Sequence, residues 1–266
     1  MFGIGVGIRV GGRTPVGGSA YDADAQAFFD RVTTAGGTLT TTEKNATNQL
    51  VLDMKSAGIW TSMQVIYPMV GASASACAQN LKSASFTGTF NGGVTFASTG
   101  VTSNGVNGYM TTGYVPNTNG LLNSAHLSFY SRTNIIASQV EMGIAGGSSH
   151  YLLFNFGGQG YCAINSAETQ SLTPPPTTLG FMIGARNNAT TEQYNTNGTY
   201  QAIVRNSVSL PTISIFIFGY NGSNSPLLVS TKQCAFASIG SGLSQSQMVS
   251  FQSLMTTFQT SLSRNV

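Results

Sequence analysis

Charged side chains are scarce in this sequence. Asp, Glu, Lys and Arg make up 7% of the 266 residues, against roughly 25% in an ordinary soluble domain. The formal net charge of +3 comes from scattered Lys and Arg residues, so there is no basic run that could follow a phosphate backbone. We therefore expect no nucleic-acid partner. A neutral, polar surface suits a protein that is covered by neighbouring subunits or that meets uncharged sugars.

Residues with catalytic or metal-binding chemistry are also few. Beyond residue 53 the only carboxylates are Glu141, Glu168 and Glu192, whereas glycoside hydrolysis needs two carboxylates that flank the scissile bond. The two histidines, His126 and His150, are too few for a zinc site with three protein ligands unless a Cys or Glu converges with them. A Ca²⁺ site would need several oxygen ligands, carboxylates among them. We predict a protein that is not an enzyme and that has no metal and no cofactor.

Cysteines and long apolar runs are limited too. Cys77, Cys162 and Cys234 cannot all pair, and no two form a Cys-x-x-Cys. We predict buried free thiols, with a single disulfide as the alternative, because free Cys packs as a small apolar residue. No apolar run reaches the roughly 18 residues of a membrane span. The first 12 residues lack a basic start and a small-residue cleavage site, which predicts no secretion signal.

Strand patterns, in contrast, fill residues 81–266. Residues 179–187 and 211–219 alternate at the two-residue period of a pleated strand. Asn197-Gly198 predicts a tight hairpin, because both residues tolerate a positive φ. Many short strands separated by Gly and Asn pairs predict a mainly β protein with an antiparallel β-sandwich. The other predicted strands cover residues 94–97, 109–115, 125–132, 140–145, 151–156 and 161–164.

A C-terminal helix is predicted after the last strand. Ser244 and Gln247 have the spacing of a capping box, in which the two residues satisfy each other's backbone N–H groups. Because the apolar residues that follow share one helical face, this helix should lie against the sheet. These residues are Met248, Phe251, Met255, Phe258 and Leu262.

Helical patterns also precede the sandwich, in residues 21–80. Apolar spacing predicts helices at residues 22–35 and 41–57, joined as a helical hairpin. Thr40 and Glu43 form a capping box for the second helix. The rest of this region is predicted to be a connector, in which Trp60 wedges between the helices and the sandwich; stacking on a ligand is the alternative role for Trp60.

Residues 1–20 are predicted to form a Gly-rich N-terminal arm. Such a segment becomes ordered by docking on another subunit or on its own sandwich, and a flexible tail is the alternative. Its glycine spacing does not fit a dinucleotide-binding fingerprint, because the third glycine comes too early. Together with Trp60, the assembly candidates are Gly3, Gly5, Gly7, Arg9 and Arg13.

Several motifs follow one another in an order that points to a known family. They are Gly58-Ile-Trp60, Tyr109-Met-Thr-Thr-Gly-Tyr114-Val-Pro, the Gly-rich strand from Leu179, Tyr194-Asn-Thr-Asn-Gly198, the apolar strand from Pro211, Ala235-Phe-Ala-Ser-Ile-Gly-Ser-Gly-Leu243-Ser and Phe258-Gln-Thr-Ser-Leu-Ser-Arg264. In this order they resemble the concanavalin A-like, laminin-G-like sandwich domains of bacteriophage virion proteins. The resemblance covers most of residues 81–264. It implies a jelly-roll-like sandwich over residues 81–266, closed by the C-terminal helix.

The resemblance leads to two hypotheses about function. The first is a non-enzymatic structural protein of the virion (head decoration, collar or tail), made in the host cytoplasm, that assembles with copies of itself and other virion proteins. The alternative is a carbohydrate-binding module that recognises a host surface glycan during adsorption; a glycoside hydrolase is disfavoured by the scarcity of carboxylates. Ligand candidates are aromatic rings and polar donors, although half or more of the tyrosines could instead be buried in the sandwich. They are Tyr109, Tyr114, Tyr151, Tyr161, Arg186, Asn187, Tyr220 and Asn221.

Overall fold

The computed structural model of the protein describes residues 21–145, 148–167, 171–172 and 177–266. Residues 1–20, which hold the predicted arm with Gly3, Gly5, Gly7, Arg9 and Arg13, lie outside the described residues. The helices of the described part are α1 (Ala23–Thr34), α2 (Thr41–Ser56), α3 (Ala74–Cys77), α4 (Pro116–Asn119) and α5 (Gln245–Ser261).

Two of these helices begin at the capping boxes that the sequence predicts. At α2 the Thr40 backbone N–H donates to Glu43 Oε2 at 2.8 Å, and the Glu43 N–H donates to Thr40 Oγ1 at 3.2 Å. At α5 the same exchange links Ser244 and Gln247, at 2.9 and 3.2 Å. Both predictions are confirmed, because each box satisfies backbone donors that the first helical turn leaves unpaired.

The strands form two sheets. They are β1 (Met63–Tyr67), β2 (Thr89–Asn91), β3 (Val94–Ala97), β4 (Gly100–Ser103), β5 (Tyr109–Thr111), β6 (Ala125–Ser131), β7 (Met142–Ile144), β8 (Ser149–Phe156), β9 (Gln159–Ser166), β10 (Ser171–Leu172), β11 (Gly180–Arg186), β12 (Thr191–Thr196), β13 (Thr199–Val204), β14 (Phe216–Ile217), β15 (Tyr220–Gly222), β16 (Ser225–Leu227) and β17 (Cys234–Gly240). Sheet A has the order β13-β12-β11-β6-β17-β4-β3, and β1 also pairs with β17. Sheet B has the order β10-β9-β8-β7-β14-β5-β2, and the β15–β16 hairpin attaches to β7.

The two sheets pack face to face, which makes the structure a mainly β sandwich. The inner face of each sheet contributes alternate residues to one core, as Leu127 and Phe129 do from β6 and Leu152 and Phe154 from β8. The rings of Phe129 and Phe154 lie 6.4 Å apart across this core. The pairing between strands is antiparallel, apart from β15 with β7 and one isolated bridge, so the two sheets are antiparallel sheets.

The outer face of sheet A is covered by helices. Tyr130, Phe181 and Phe236 point away from the inner core and belong to a second cluster with residues of α1, α2 and α5. The Phe251 ring of α5 lies 5.0 Å from the ring of Phe181. The predicted position of the C-terminal helix is therefore confirmed.

Two segments differ from the sequence-based expectation. Residues 211–219 form no long strand: only Phe216–Ile217 has strand geometry, because the backbone turns at Phe218 and Gly219 with φ of 71° and 158°. Met63–Tyr67, assigned to the connector, is instead a strand of sheet A that pairs with β17. Its apolar side chains explain this, since Val65 and Tyr67 enter the inner core.

The predictions for the Asn197-Gly198 hairpin and for the free cysteines are confirmed. The Asn197-Gly198 turn joins β12 to β13, with φ of 50° and 88° at its two residues. Cys77, Cys162 and Cys234 are all free and buried. Among the helices of the described residues, none is long and apolar enough to cross a membrane, and no group of three or more His, Cys, Asp or Glu side chains in the same residues could hold a metal.

Candidate functional site

The outer face of sheet B carries an aromatic cluster. In β8, Leu152 and Phe154 point into the core, so the alternation of the strand turns Tyr151 and Leu153 outward. In β9 the same alternation turns Tyr161 and Ala163 outward, opposite Leu153 and Tyr151. Sequence periodicity thus brings side chains from neighbouring strands to one surface.

The β15–β16 hairpin rises beside this cluster and completes a groove. Tyr220 of β15 packs against the cluster, with its ring 6.3 Å from that of Tyr151 at an interplanar angle of 37°. The groove is open to solvent and has a volume of about 320 Å³. We call it the tyrosine groove; its described lining residues are Val140, Ala145, Ser149, Tyr151, Leu153, Tyr161, Tyr220 and Leu228.

Gly143 sets the spacing of the groove. It lies opposite Tyr151 on one side and opposite Tyr220 on the other. Its φ of 147° is one that residues with a side chain rarely adopt. A Cβ at this position would lie 2.3 Å from the Cβ of Tyr151 and 2.5 Å from the carbonyl oxygen of His150. Only glycine lets the two tyrosine-bearing strands approach the central strand this closely.

Asn221 holds the hairpin in shape and does not face a ligand. Its Nδ2 donates to the Ser214 carbonyl at 2.8 Å, and its Oδ1 accepts from the Asn224 N–H at 2.7 Å. The side chain is fully buried. Asn221 was predicted as a ligand contact, and this is corrected: its amide is already used by the protein, and it acts on the groove by placing Tyr220.

Arg186 is likewise corrected from ligand donor to internal support. Its guanidinium is fully buried and contacts Glu192 at 2.9 Å, while its Nε donates to the Ile164 carbonyl at 2.8 Å. Arg205 contacts the other oxygen of Glu192 at 2.9 Å and donates to the Cys162 carbonyl. Because Ile164 and Cys162 belong to β9, this ion cluster joins sheet A to the strand that carries Tyr161.

The remaining candidates lie apart from the groove. Tyr114 is 2% exposed, its ring lies 5.3 Å from that of Phe86, and burial raises its pKa to about 12; its prediction as a ligand contact is wrong for this reason. Asn187 donates to the Leu243 carbonyl at 2.6 Å and ties β11 to α5. Tyr109 is half-buried on sheet B with its ring 4.6 Å from that of Phe216.

Trp60 lies where the sequence predicts, between the helices and sheet A. It is 7% exposed within the cluster that the helices cover. Lys82 Nζ lies 4.3 Å from the centre of its ring and donates to its carbonyl oxygen. These contacts are internal, and the role of Trp60 in assembly stays a prediction.

The described glutamate side chains of the sandwich, Glu141 and Glu192, are buried. Glu141 contacts Lys232 at 2.7 Å, and both side chains are fully buried; burial raises the pKa of Glu141. Glu192 is closed off by its two arginines, and Glu168 lies outside the described residues. Within the described part of residues 54–266, therefore, no carboxylate faces solvent.

The histidines are also internal. His126 Nδ1 donates to the Ser241 carbonyl at 2.6 Å, which leaves Nε2 to accept from Ser238 Oγ at 3.1 Å. Ser128 Oγ lies 2.6 Å from Ser238 Oγ, so the three side chains form one buried chain on the covered face of sheet A. Burial lowers the pKa of both His126 and His150 to about 4, which keeps the two imidazoles neutral.

A second cavity, of about 380 Å³, lies between α2 and α5. Its lining includes Asn45, Gln49, Asp53 and Thr257, and its aromatic residue, Phe258, is 2% exposed. It therefore offers no accessible ring face to a ligand. The tyrosine groove offers two half-buried rings, Tyr161 and Tyr220, beside the buried ring of Tyr151.

Sequence reasoning found three of the eight described lining residues of the groove. The missed residues are Val140, Ala145, Ser149, Leu153 and Leu228. Leu153 could have been found, since it follows Tyr151 by two positions in a predicted strand and must share its face. Leu228 gave no signal, because the hairpin that presents it was predicted as neither strand nor turn.

The comparisons with known proteins show no close relative. No family model matches this chain, and no curated protein matches it. A mutant of the protein called HCR/D is similar in fold, with a TM-score of 0.50, 11% identity and coverage of 74% of this chain and 53% of that one. This likeness concerns the fold alone.

Other solved structures are similar at lower scores. Domain 4 of AbnA, a GH43 extracellular arabinanase from Geobacillus stearothermophilus in complex with arabinotriose, has a TM-score of 0.48 and 13% identity over 72% of this chain and 98% of that one. Trypanosoma rangeli sialidase in complex with 2,3-difluoro-KDN has a TM-score of 0.47 and 12% identity over 80% of this chain. This chain spans 39% of the length of that sialidase chain. None of these likenesses points to bacteriophage, and the virion part of the resemblance stays a prediction.

Proposed function

We propose that the protein is a carbohydrate-binding module and that its ligand lies in the tyrosine groove. The observation that carries this proposal is the open groove on sheet B, in which the half-buried Tyr161 and Tyr220 combine ring faces with hydroxyl groups beside the buried ring of Tyr151. A sugar has the matching chemistry, with an apolar C–H face for the rings and hydroxyls for hydrogen bonds. Ligand sites are concave and mostly apolar, with a few placed polar groups.

Binding without catalysis is part of the proposal. The described carboxylates of the sandwich are enclosed in ion pairs, whereas hydrolysis of a glycoside needs two carboxylates at the bond. The groove itself presents only hydroxyl and apolar side chains among its described residues. These support recognition of a sugar and give no acid or base to cleave it.

The type of sandwich, the helical hairpin and the biological setting are also proposed. We propose that the sandwich is of the concanavalin A-like type, with α1 and α2 as a helical hairpin beside it. From the resemblance of the motifs we retain the proposal that such a module serves the adsorption of a bacteriophage to a host surface glycan, as one of several copies in a virion.

The test is glycan binding by the full chain and by two tyrosine variants. Tyr220→Ala removes a ring from the groove, and Tyr200→Ala removes a half-exposed ring from β13 of sheet A as the matched control. Truncating a central binding residue costs more than about 1 kcal/mol, so Tyr220→Ala should bind at least about fivefold more weakly, with Tyr200→Ala unchanged. The proposal fails if no glycan binds, or if Tyr220→Ala binds as tightly as the unchanged protein.

A further inference from the structure

The segments that build the tyrosine groove contain no positive charge. Between Arg132 and Arg186 the sequence has no Lys or Arg, and between Arg205 and Lys232 it has none either. Every described lining residue of the groove comes from these two segments. Of the residues outside the described part, 146–147, 168–170 and 173–176 contain no Lys or Arg, and residues 1–20 contain Arg9 and Arg13.

The cations of the described chain are engaged elsewhere. Five of them contact the helical layer, its connectors or the end of the chain: Arg31, Lys44, Lys55, Lys82 and Arg132. Arg264 is buried, where it donates to the Met69 carbonyl at 2.8 Å. Arg186 and Arg205 are both paired with Glu192.

Lys232 pairs with Glu141, which directly follows the groove residue Val140 in the sequence. The two charges lie 2.7 Å apart and are fully buried, so the pair is neutral as seen from the groove. His150, the one histidine in the groove-building segments, is 2% exposed and points with β8 into the inner core. Neither group can meet an anion in the groove.

Among the described residues, an anionic sugar would therefore lose hydration in the groove without gaining a cationic partner. A carboxylate or sulfate placed against Val140, Leu153 and Leu228 would be partly desolvated, and burying an unpaired charge is costly. A hydroxyl group of a sugar has partners in the groove, because the hydroxyls of Ser149 and Tyr220 can each donate a hydrogen bond to it or accept one from it.

We propose that the tyrosine groove selects uncharged oligosaccharides and rejects sialylated, uronic and sulfated ones. This inference rests on the proposed function and adds the class of ligand to it. A volume of about 320 Å³ is at the small end of ligand sites, which fits a short section of a neutral glycan chain.

The test compares neutral and acidic glycans on the full chain. A glycan array identifies the tightest neutral ligand, and calorimetry then compares it with the same oligosaccharide carrying one carboxylate. We expect the acidic form to bind at least about tenfold more weakly. The affinity of the neutral form should stay within about twofold between low and high salt, because no described lining residue carries a charge that salt could screen.

A designed charge sharpens the test. Ser149→Arg places a cation in the groove and should raise the affinity for the acidic oligosaccharide, whereas Ser253→Arg, on the exposed side of α5, should not. If Ser149→Arg does not fold, Leu228→Lys places the charge on the opposite wall, at a residue that is 39% exposed.

The outcomes separate the two proposals. Tighter binding of acidic than of neutral glycans by the unchanged protein overturns the ligand class and leaves the binding function standing. Binding of no glycan at all overturns the proposed function and the ligand class with it. A gain in affinity for the acidic form in Ser253→Arg as large as in Ser149→Arg shows that the charge acts from outside the groove, which also overturns the proposal.

Discussion

The outward faces of the two sheets are both aromatic, yet only one is covered. On sheet A, Phe181 and Phe236 are fully buried beneath α5, where the Phe251 ring lies 5.0 and 5.9 Å from them. On sheet B, Tyr161 and Tyr220 remain half-exposed around an open groove. Within the described residues, no helix lies over this second face.

The residue types explain the difference. A phenylalanine ring is wholly apolar and gains most from burial, and Phe181 and Phe236 of the covered face are fully buried. A tyrosine has an apolar ring and a polar hydroxyl, so it can lie at a surface with its ring partly buried and its hydroxyl in water. Both faces are thus aromatic, and the face of sheet B differs in that its half-buried rings carry hydroxyl groups.

The largest predicted loss of stability follows a substitution on the covered face of sheet A. Phe251→Ala should lower the free energy of unfolding by about 3–5 kcal/mol, because it leaves a cavity between α5 and two rings of sheet A. Chemical denaturation measures this. Val249→Ala, at a position that is 47% exposed on the same helix, should change stability by less than about 0.5 kcal/mol. Equal effects of the two variants would mean that α5 does not cover sheet A.

The second prediction is a loss of stability at acid pH, caused by the buried His126 on the covered face of sheet A. Burial lowers the pKa of His126 to about 4, whereas an unfolded chain has a histidine pKa of about 6.5. The unfolded state therefore binds more protons between these values, so this contribution to stability is complete above pH about 6.5 and is lost as the pH falls toward 4. At about 1.4 kcal/mol per pKa unit, the loss is about 3 kcal/mol.

A variant isolates this contribution. His126→Asn should show a shallower fall of stability between pH about 6.5 and 4 than the unchanged protein, measured by urea denaturation at a series of pH values. Glycan affinity should not change over the part of this range in which the protein stays folded, since no described lining residue of the groove is a histidine. An unchanged slope in His126→Asn would contradict the assignment.

The third prediction concerns Gly143, which affects both the stability of the fold and the shape of the tyrosine groove. Gly143→Ala should destabilise the protein by about 1–3 kcal/mol through backbone strain and should also weaken glycan binding, because the new Cβ displaces Tyr151. Gly157→Ala is the matched control: its φ is 58°, but nothing lies within 4 Å of a Cβ there. It should lose stability without losing affinity. Loss of affinity in both variants would show that strain, and not the displacement of Tyr151, is responsible.

The smallest effect is the removal of one hydroxyl. Tyr220→Phe should reduce glycan affinity by about fivefold, near 1 kcal/mol for one hydrogen bond, with stability changed by less than about 0.5 kcal/mol. Tyr200→Phe loses a hydrogen bond of 3.0 Å to Gln193 on sheet A and should leave affinity unchanged. Calorimetry decides between hydroxyl recognition and ring stacking, because full affinity in Tyr220→Phe would mean that the ring alone binds.

Local signals in the sequence predicted much of the fold. Capping residues such as Thr40 and Ser244 act within one turn, and the Asn197-Gly198 hairpin depends only on its own backbone angles. Strand alternation likewise brought Tyr151 and Tyr161 to one face. These features need no knowledge of distant residues, and for that reason they could be read from the chain.

What the sequence could not supply were contacts between distant elements. Arg186 reads as an exposed donor until Glu192 and Arg205 are placed beside it, and Asn221 reads as a loop contact until Ser214 accepts its amide proton. The end of β14 at Ile217 also depends on a distant partner, since the Phe218 N–H donates to the Glu141 carbonyl where the backbone turns. Buried polar side chains are the residues whose role changes most once their partners are known.

The place of β17 in sheet A has a consequence for synthesis. This strand pairs with β6 on one edge and with β1 and β4 on the other, and all three precede it in the chain by more than 100 residues. During translation they leave the ribosome with unpaired edges, which other chains can pair with. Sheet A closes only when β17 arrives, so folding should be slow, as in other proteins dominated by non-local pairing. A nascent chain stalled before Cys234 should therefore be the form most in need of a chaperone.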